Sequence, residues 1–174
     1  MRRLFIADLH LHPARPEHSR ALIDFCQQRI TPADQLYILG DLFEAWIGDD
    51  VGLVTYADVI ACFKQLTQSG TQIFFMVGNR DFLIGQAFYQ ATGIVPLPDP
   101  SLVNIDNQDV LLMHGDTLCT DDLDYQAFRT LTRNPRWQEE FLAMTAAQRM
   151  QRAAEYRQQS QSMTAMKTDE IMDI

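Results

Sequence analysis

The stretch "LFIADLHLH" (Leu4–His12) decides the fold prediction, because an apolar run stops at an acid and alternating histidines follow. A short apolar run of this kind predicts a buried β-strand. In an extended chain, alternation places Asp8 and His10 on one side while Leu9 points back to the core. We therefore expect a strand whose carboxyl end carries side chains able to bind metal.

Strand and helix signals alternate through the rest of the first part of the chain. After the first strand, the segments with helical or strand periodicity are "PEHSRALIDFCQQR", "QLYILGD", "LVTYADVIACFKQLTQSG", "TQIFFMVGN", "DFLIGQAFYQATG" and "LVNIDNQDVLLMHGD", the last one read as two strands around a turn. This order predicts an α/β fold in which helices cover a largely parallel sheet, with antiparallel pairing later. From residue 122 onward only helical patterns follow, with a break near Asn134–Pro135. We therefore predict a core over residues 1–121 and a helical cap, or lid, over 122–174.

Four of the predicted strands end in side chains that can bind metal. In chain order they are Asp8 with His10, Asp41, Asn79, and His114. Because ligands bind at the carboxyl ends of strands in open α/β sheets, we expect these side chains to converge on one edge. Mixed oxygen and nitrogen ligands suit Mn²⁺, Fe or Zn²⁺, and Asp41 could bridge two cations because it has two oxygens. Each motif alone would more often be a plain turn or a structural histidine, so the prediction depends on their conjunction.

Composition excludes several classes of protein. The net charge of −9 makes general nucleic-acid binding through phosphate neutralisation a poor candidate. No stretch is apolar over a length that could span a bilayer, and the N-terminus lacks the shape of a signal peptide. Three scattered cysteines indicate reduced thiols in a cytoplasmic protein rather than a disulfide framework.

The motifs "ADLH", "GDLFE", "GNRD" and "HGD" resemble those of the calcineurin-like metallophosphoesterases. The segments "GDLFEAWIGDD", "GNRDFLIG" and "MHGDTLCTDDLDYQAFR" extend the resemblance to the members that hydrolyse UDP-2,3-diacylglucosamine in lipid A biosynthesis. The resemblance implies a four-layer α/β/β/α sandwich with a helical cap insertion. It also implies a pyrophosphohydrolase whose products are UMP and 2,3-diacylglucosamine 1-phosphate, with two Mn²⁺ ions as cofactor.

The resemblance also implies a role for individual residues. Asp8 and His10 would bind the first metal, Asp41 would bridge, and Asn79 and His114 would bind the second. Asn79 and Arg80 would act as the catalytic pair that contacts the substrate phosphates. Four residues of the insertion fall at substrate-contacting positions, namely Asp122, Ser160, Thr164 and Lys167.

One motif of the family pattern, a final Gly-His-x-His, is absent from the sequence. Only four histidines are present and none follows His114. We therefore expect this chain to be the N-terminal part of a longer family chain, incomplete at its C-terminus. Since each metal would lose a ligand, we expect weak activity or none.

An arginine, Arg80, stands where many relatives of this family have a histidine that protonates the leaving oxygen. A guanidinium stays charged at neutral pH and cannot be a general acid, although it can hold phosphate oxygens through two parallel hydrogen bonds. The leaving group must therefore depart without a proton, as a phosphate monoester can because its second pKa is about 6. The arginine thus favours a pyrophosphate bond as the substrate.

The helical part combines methionines, other apolar residues and basic residues. They are Met144, Met150, Met163, Met166 and Met172, after Trp137, Phe141 and Leu142, with Arg149, Arg152, Arg157 and Lys167 between them. Such a cap could cover an anionic lipid and rest on a membrane surface, although an ordinary amphipathic helical pair packed on the core would show the same pattern. The resemblance implies a cytoplasmic protein that is peripheral to the inner face of the inner membrane. Two alternatives stay open: a dinuclear-metal phosphoesterase for a soluble nucleotide or phosphodiester, and a non-catalytic domain that keeps the fold.

Overall fold

A parallel sheet of four strands lies at the centre of the first part of the chain, in the spatial order β1-β2-β3-β4. The strands are β1 (Arg3–Ile6), β2 (Gln35–Leu39), β3 (Gln72–Met76) and β4 (Val95–Pro96). The structure is a computed structural model that describes residues 1–164, with side chains described for residues 1–158 and for residue 160. β1 is an edge strand and is only half-buried, with Phe5 44% exposed, so the prediction of a buried first strand was wrong.

Helices connect the parallel strands, as the alternating pattern predicts. They are α1 (Pro16–Arg29), α2 (Asp49–Thr55), α3 (Ala57–Gln68) and α4 (Gln86–Thr92). α1 begins at a proline, whose fixed φ suits the first helical turn, and α4 ends before Gly93 in a left-handed conformation. The single helix predicted around Tyr56 is two helices, because Tyr56 adopts φ −113° and ψ 32° between α2 and α3.

The alternating side chains of the central strands build two separate apolar layers. On one face, Leu36 and Ile38 of β2 are fully buried, and the helices contribute side chains such as Cys26 and Phe63. On the other face, Tyr37 packs in a cluster with residues of the later hairpin. The sheet is therefore covered on both faces, as is typical of parallel sheets.

The hairpin is formed by β5 (Ser101–Ile105) and β6 (Gln108–Leu112), which pair with each other as an antiparallel two-stranded sheet. Asp106 and Asn107 connect the strands with φ of 52° and 67°, the left-handed values of a tight hairpin turn. Leu112, Val103 and Val110 pack in the cluster with Tyr37. The first unit thus contains successive α, β and β layers, and the predicted mixed α/β fold is confirmed.

The contacts divide the chain into two units, Met1–His114 and Gly115–Ile174. The described part of the second unit holds a short 3₁₀ turn (Asp116–Leu118) and α5 (Leu123–Thr132), α6 (Pro135–Leu142) and α7 (Ala146–Thr164). α6 begins at Pro135, which confirms the predicted break. The boundary lies before that predicted at residue 122, and the role of the helices as a lid stays a prediction.

The side chain of Asp116 is only 6% exposed and joins two residues of α5 at the start of the second unit. Asp116 accepts hydrogen bonds from the Tyr125 hydroxyl (2.6 Å) and from Arg129 Nε (2.8 Å). The side chain of Trp137 stacks on Phe141, with ring centroids 5.0 Å apart. None of the helices described here is long and apolar enough to cross a bilayer.

Candidate metal centre

The loops that follow β1 and β2 run side by side beyond the sheet and carry the first three predicted ligands. His10 N donates to the Asp41 carbonyl (3.0 Å), and Leu11 N donates to the Leu42 carbonyl (2.9 Å). Asp8 N donates to the Gly40 carbonyl (3.2 Å). These bonds continue the parallel pairing past the ends of the strands and hold the two loops in a fixed register.

Asp8, His10 and Asp41 all adopt left-handed backbone conformations, with φ of 56°, 48° and 51°. Non-glycine residues rarely adopt such values, and they concentrate at functional sites where the surrounding structure enforces them. The strand alternation that we predicted for Asp8 and His10 was therefore wrong, because β1 ends at Ile6 before either residue. The loops, rather than a strand, aim the two side chains.

The three side chains nevertheless converge. One ligand atom from each of Asp8, His10 and Asp41 lies within 4.8 Å of the other two. Asp8 is exposed, His10 is partly exposed, and Asp41 is buried. Carboxylate oxygen and imidazole nitrogen are donors for divalent transition metals, so this group fits a divalent cation.

Asp41 lies between two histidines. Its Oδ2 is 3.9 Å from His10 Nε2, and its Oδ1 is 3.7 Å from His114 Nε2. Oδ1 also accepts the backbone N–H of Arg80 at 2.9 Å. Burial raises the pKa of Asp41, whereas the Arg80 N–H and the two histidines oppose that shift. The two oxygens thus face different imidazoles, as a carboxylate shared by two cations would.

His114 follows the antiparallel hairpin that the sequence predicts. Among the described strands β6 pairs with β5 alone, so the fourth strand end does not belong to the parallel sheet. His114 Nδ1 is 2.9 Å from the Leu39 carbonyl, and because a carbonyl can only accept, Nδ1 carries the proton and Nε2 faces Asp41. A Cβ at Gly40 would overlap this imidazole, so only glycine fits there.

Asn79 carries a buried amide oxygen in the loop that follows β3. Its Oδ1 is buried, and within residues 1–164 it has no hydrogen-bond partner. A buried amide oxygen without a partner is costly, and a cation would satisfy it. Asn79 precedes Arg80, whose backbone is bonded to Asp41, so this oxygen belongs to the same region of the loops.

Asp81 is a fully buried carboxylate that connects the loop after β2 with the loop after β3. It accepts the backbone N–H groups of Gly78 (2.7 Å), Leu42 (2.8 Å) and Phe43 (3.4 Å). Burial raises the pKa of Asp81 to about 7, with the Asp41 charge adding to the shift and the three N–H groups opposing it. Asp81 is not among the predicted site residues, although it follows Asn79 and Arg80 in "GNRD".

Arg80 and Glu44 lie beside the ligands. Arg80 Nη1 is 3.7 Å from Glu44 Oε1, and the Arg80 side chain is one-third exposed. Glu44 is buried and was missed, although a glutamate within the apolar segment "LFEAW" was a usable signal. A partly exposed guanidinium next to a candidate metal site can contact an anionic substrate.

The residues predicted to bind substrate in the second unit are only partly described. Asp122 caps α5, where its Oδ1 accepts the backbone N–H of Tyr125 (3.1 Å). Ser160 is exposed on α7 and Thr164 is the last residue of that helix. The Thr164 side chain and the whole of Lys167 lie outside the described residues, so these four roles stay predictions.

Only part of the predicted basic and methionine-rich face of the second unit is exposed among the described residues. Arg149 is 3% exposed and therefore does not belong to an outward basic face. Arg152 is half-exposed and lies 3.9 Å from Glu155. Met150 is 60% exposed, whereas Met163, Met166 and Met172 lie beyond the described side chains.

The fold and the ligand cluster define a class: an α/β protein whose loops gather carboxylate, imidazole and amide groups at a candidate dinuclear metal centre. The profile described as calcineurin-like phosphoesterase matches residues 1–156. The chain belongs to the calcineurin-like phosphoesterase family.

Curated relatives cover the whole chain. A UDP-2,3-diacylglucosamine hydrolase of Chromohalobacter salexigens is 46% identical over 174 residues, which is 100% of this chain and 71% of that protein. One of Cellvibrio japonicus is 45% identical over 174 residues, which is 100% of this chain and 72% of that protein. One of Xanthomonas oryzae pv. oryzae is 47% identical over 165 residues, covering 95% of this chain and 67% of the relative. Both levels of the resemblance seen in the motifs are thereby confirmed.

Proposed function

We propose that this chain hydrolyses the pyrophosphate bond of UDP-2,3-diacylglucosamine to UMP and 2,3-diacylglucosamine 1-phosphate, as a step of lipid A biosynthesis. The observation that carries the proposal is Asp41, whose two oxygens face His10 and His114 while its neighbour Arg80 lies at the same site. The names of the relatives support the substrate. The ligand types support a divalent transition metal, and we take Mn²⁺ from the family resemblance.

The residues that would hold the cations are Asp8, His10, Asp41, Asn79 and His114. When bound, divalent cations lower the pKa of water and neutralise charge on phosphate oxygens. The protein orients the two imidazoles through fixed loops and the His114 Nδ1 hydrogen bond. Asn79 presents an amide oxygen that has no partner among residues 1–164.

Arg80 would bind the substrate phosphates and stabilise the charge that develops on them. In the reaction, water adds its oxygen to the uridine-side phosphorus, and the bond from that phosphorus to the bridging oxygen breaks. The electron pair stays on the bridging oxygen of the sugar phosphate, and the water proton passes to solvent. The leaving group needs no protonation. This fits Arg80, because a guanidinium keeps its proton at neutral pH and can still bind the phosphate oxygens.

The substrate assay follows UMP release by the full chain with Mn²⁺ and UDP-2,3-diacylglucosamine in mixed micelles, with UDP-N-acetylglucosamine as the soluble comparison. We expect slow UMP release from the lipid substrate, because the ligand set lacks the final Gly-His-x-His. We also expect loss of that product on chelation and little product from the soluble sugar nucleotide. Equal kcat/KM for both substrates would favour the soluble-nucleotide alternative. Tight Mn²⁺ binding without UMP release would favour the non-catalytic domain.

We further propose that the protein is cytoplasmic and binds the inner face of the inner membrane peripherally. Several large apolar side chains of the second unit support this proposal because they are 41% to 75% exposed: Leu118, Leu123, Leu131, Leu142 and Met150. Co-sedimentation with phosphatidylethanolamine–phosphatidylglycerol vesicles tests it. The double variant L123Q/M150Q should bind less than the unaltered chain, and equal binding would contradict the proposal.

A further inference from the structure

Glu44 is a buried carboxylate placed next to the candidate metal centre. It lies three residues after Asp41, it is 5% exposed, and its backbone N–H donates to the Leu11 carbonyl at 2.9 Å. That bond fixes Glu44 to the loop that carries His10. A buried charge of this kind is costly unless nearby groups compensate it, so its surroundings indicate its role.

Nitrogen-bearing side chains of the loop region lie near the carboxylate, namely His10, Arg15 and Arg80. Glu44 Oε2 is 3.3 Å from His10 Nδ1 and 4.0 Å from Arg15 Nη2, and Oε1 is 3.7 Å from Arg80 Nη1. Arg15 is about half-exposed, whereas His10 and Arg80 are each about one-third exposed. The carboxylate therefore lies between one predicted metal ligand and the predicted phosphate-binding arginine.

The contact with His10 bears on which ring nitrogen is available to a metal. Nε2 faces Asp41, and Nδ1 is a buried atom that makes no aligned hydrogen bond within residues 1–164, with Glu44 Oε2 beside it. An ionised carboxylate can only accept, so its proximity favours the tautomer with hydrogen on Nδ1. That tautomer leaves the Nε2 lone pair for the metal, as carboxylate–histidine pairs do in many metal sites.

The contact with Glu44 also restrains the Arg80 guanidinium, which is predicted to bind the substrate phosphates. Arg80 donates its backbone N–H to Asp41, and its guanidinium lies at ion-pair distance from Glu44, with Nη1 3.7 Å from Oε1. A guanidinium held at one edge loses less conformational entropy when it binds phosphate through its remaining N–H groups. Glu44 can thus act on metal binding and on substrate binding through separate neighbours.

We propose that Glu44 is a positioning residue that sets the His10 tautomer for metal binding and holds Arg80 for the phosphates of the substrate. The His10 part concerns metal binding alone, whereas the Arg80 part rests on the proposed function. Glu44→Gln removes the charge at nearly constant shape. Asp34→Asn is the matched control, because Asp34 is 3% exposed, also pairs with an arginine, and precedes β2 rather than following it.

The first two measurements use the full chain without substrate. Titration calorimetry should give a Mn²⁺ dissociation constant at least about tenfold weaker for E44Q and an unchanged one for D34N. Long-range ¹H–¹⁵N NMR of the metal-free chain, at mildly alkaline pH, should show His10 with hydrogen on Nδ1 and a loss of that preference in E44Q. Unchanged Mn²⁺ affinity and an unchanged His10 tautomer in E44Q would overturn the metal-binding part.

The third measurement addresses Arg80 at saturating Mn²⁺. With Arg80 in place, E44Q should raise KM for UDP-2,3-diacylglucosamine. Added to R80K, the same substitution should raise KM much less. An equal increase in both backgrounds would overturn the Arg80 part. If no chain releases UMP, the proposed function fails while the calorimetric and NMR results still decide the His10 part. Should E44Q not fold, Glu44→Asp withdraws the carboxylate by one methylene. Unchanged Mn²⁺ affinity in E44D would overturn the metal-binding part, and an unchanged KM in E44D would overturn the Arg80 part.

Discussion

Substituting Gly78 by alanine should disable the metal centre through a steric effect alone. Gly78 does not have a left-handed backbone, so alanine brings no φ penalty. A Cβ at this position would overlap Asp41 Oδ1 and the Asp41 backbone nitrogen, and it would lie 2.9 Å from Asp41 Cγ. The Asp41 carboxylate must therefore move, and its Oδ1 must leave the 2.9 Å hydrogen bond from Arg80 N.

The cost of G78A follows from the contacts that it disturbs. Loss of a hydrogen bond to a charged acceptor costs about 1.5–3 kcal/mol. Forcing an extra methyl group into a packed site costs about 1–3 kcal/mol. Alanine regains about 0.4–1 kcal/mol by restricting the unfolded chain. We therefore expect the free energy of unfolding to fall by about 2–5 kcal/mol and the Mn²⁺ affinity to fall by at least about tenfold, because Asp41 is displaced.

Urea unfolding and Mn²⁺ titration calorimetry measure both effects. Gly85→Ala is the matched control, because its Cβ would lie 2.9 Å from Asp49 Oδ2, a carboxylate outside the candidate centre. G85A should lose stability but keep its Mn²⁺ affinity. If G78A folds and binds Mn²⁺ as tightly as the unaltered chain, the close packing of Asp41 on Gly78 is not needed for metal binding. That result would refute the reasoning.

Three further predictions concern charge, substrate binding and the second unit. Arg2 holds the pKa of Asp34 below its usual range, so the pair stabilises the folded protein above the unfolded carboxyl pKa of about 3.9. This stabilisation is lost as the pH falls through the native pKa, so the difference in unfolding free energy between D34N and the unaltered chain should be largest near neutral pH and vanish in acid. A difference that does not depend on pH would contradict this prediction. Arg80→Lys should lower kcat/KM for UMP release by about 100-fold with unchanged Mn²⁺ affinity, because one ammonium cannot replace two parallel hydrogen bonds, and near-full activity would refute the role. Tyr125→Phe removes the 2.6 Å hydrogen bond to Asp116 and should cost about 1.5 kcal/mol in urea unfolding, whereas unchanged stability would show that the bond contributes nothing.

Local signals in the sequence were sufficient for the main elements of the first unit. The apolar runs gave three of the parallel strands, and the proline before α1 marked where that helix begins. β4 has only two residues, Val95 and Pro96, so it leaves no periodic signal in the sequence. The break at Tyr56 is a tertiary effect, since the Tyr56 hydroxyl donates to the Leu11 carbonyl at 2.9 Å and its ring packs on Phe43.

The candidate site was predictable in its residue types but not in its geometry. The spacing of Asp8, His10 and Asp41 marked them as ligands, because histidines beside turn residues are unusual. Their left-handed backbones were not predictable, since they result from hydrogen bonds between loops that are distant in the sequence. The place of Glu44 depends on the same long-range pairing, because the Leu11 carbonyl positions it beside His10.

Anomalous scattering from crystals grown with Mn²⁺ would test the central claim most directly, because it locates the cations without reference to activity. We predict anomalous peaks on both sides of the Asp41 carboxylate, one beside Asp8 and His10 and the other beside Asn79 and His114. Well-ordered crystals in which Asp41 contacts no anomalous peak at saturating Mn²⁺ would contradict the account.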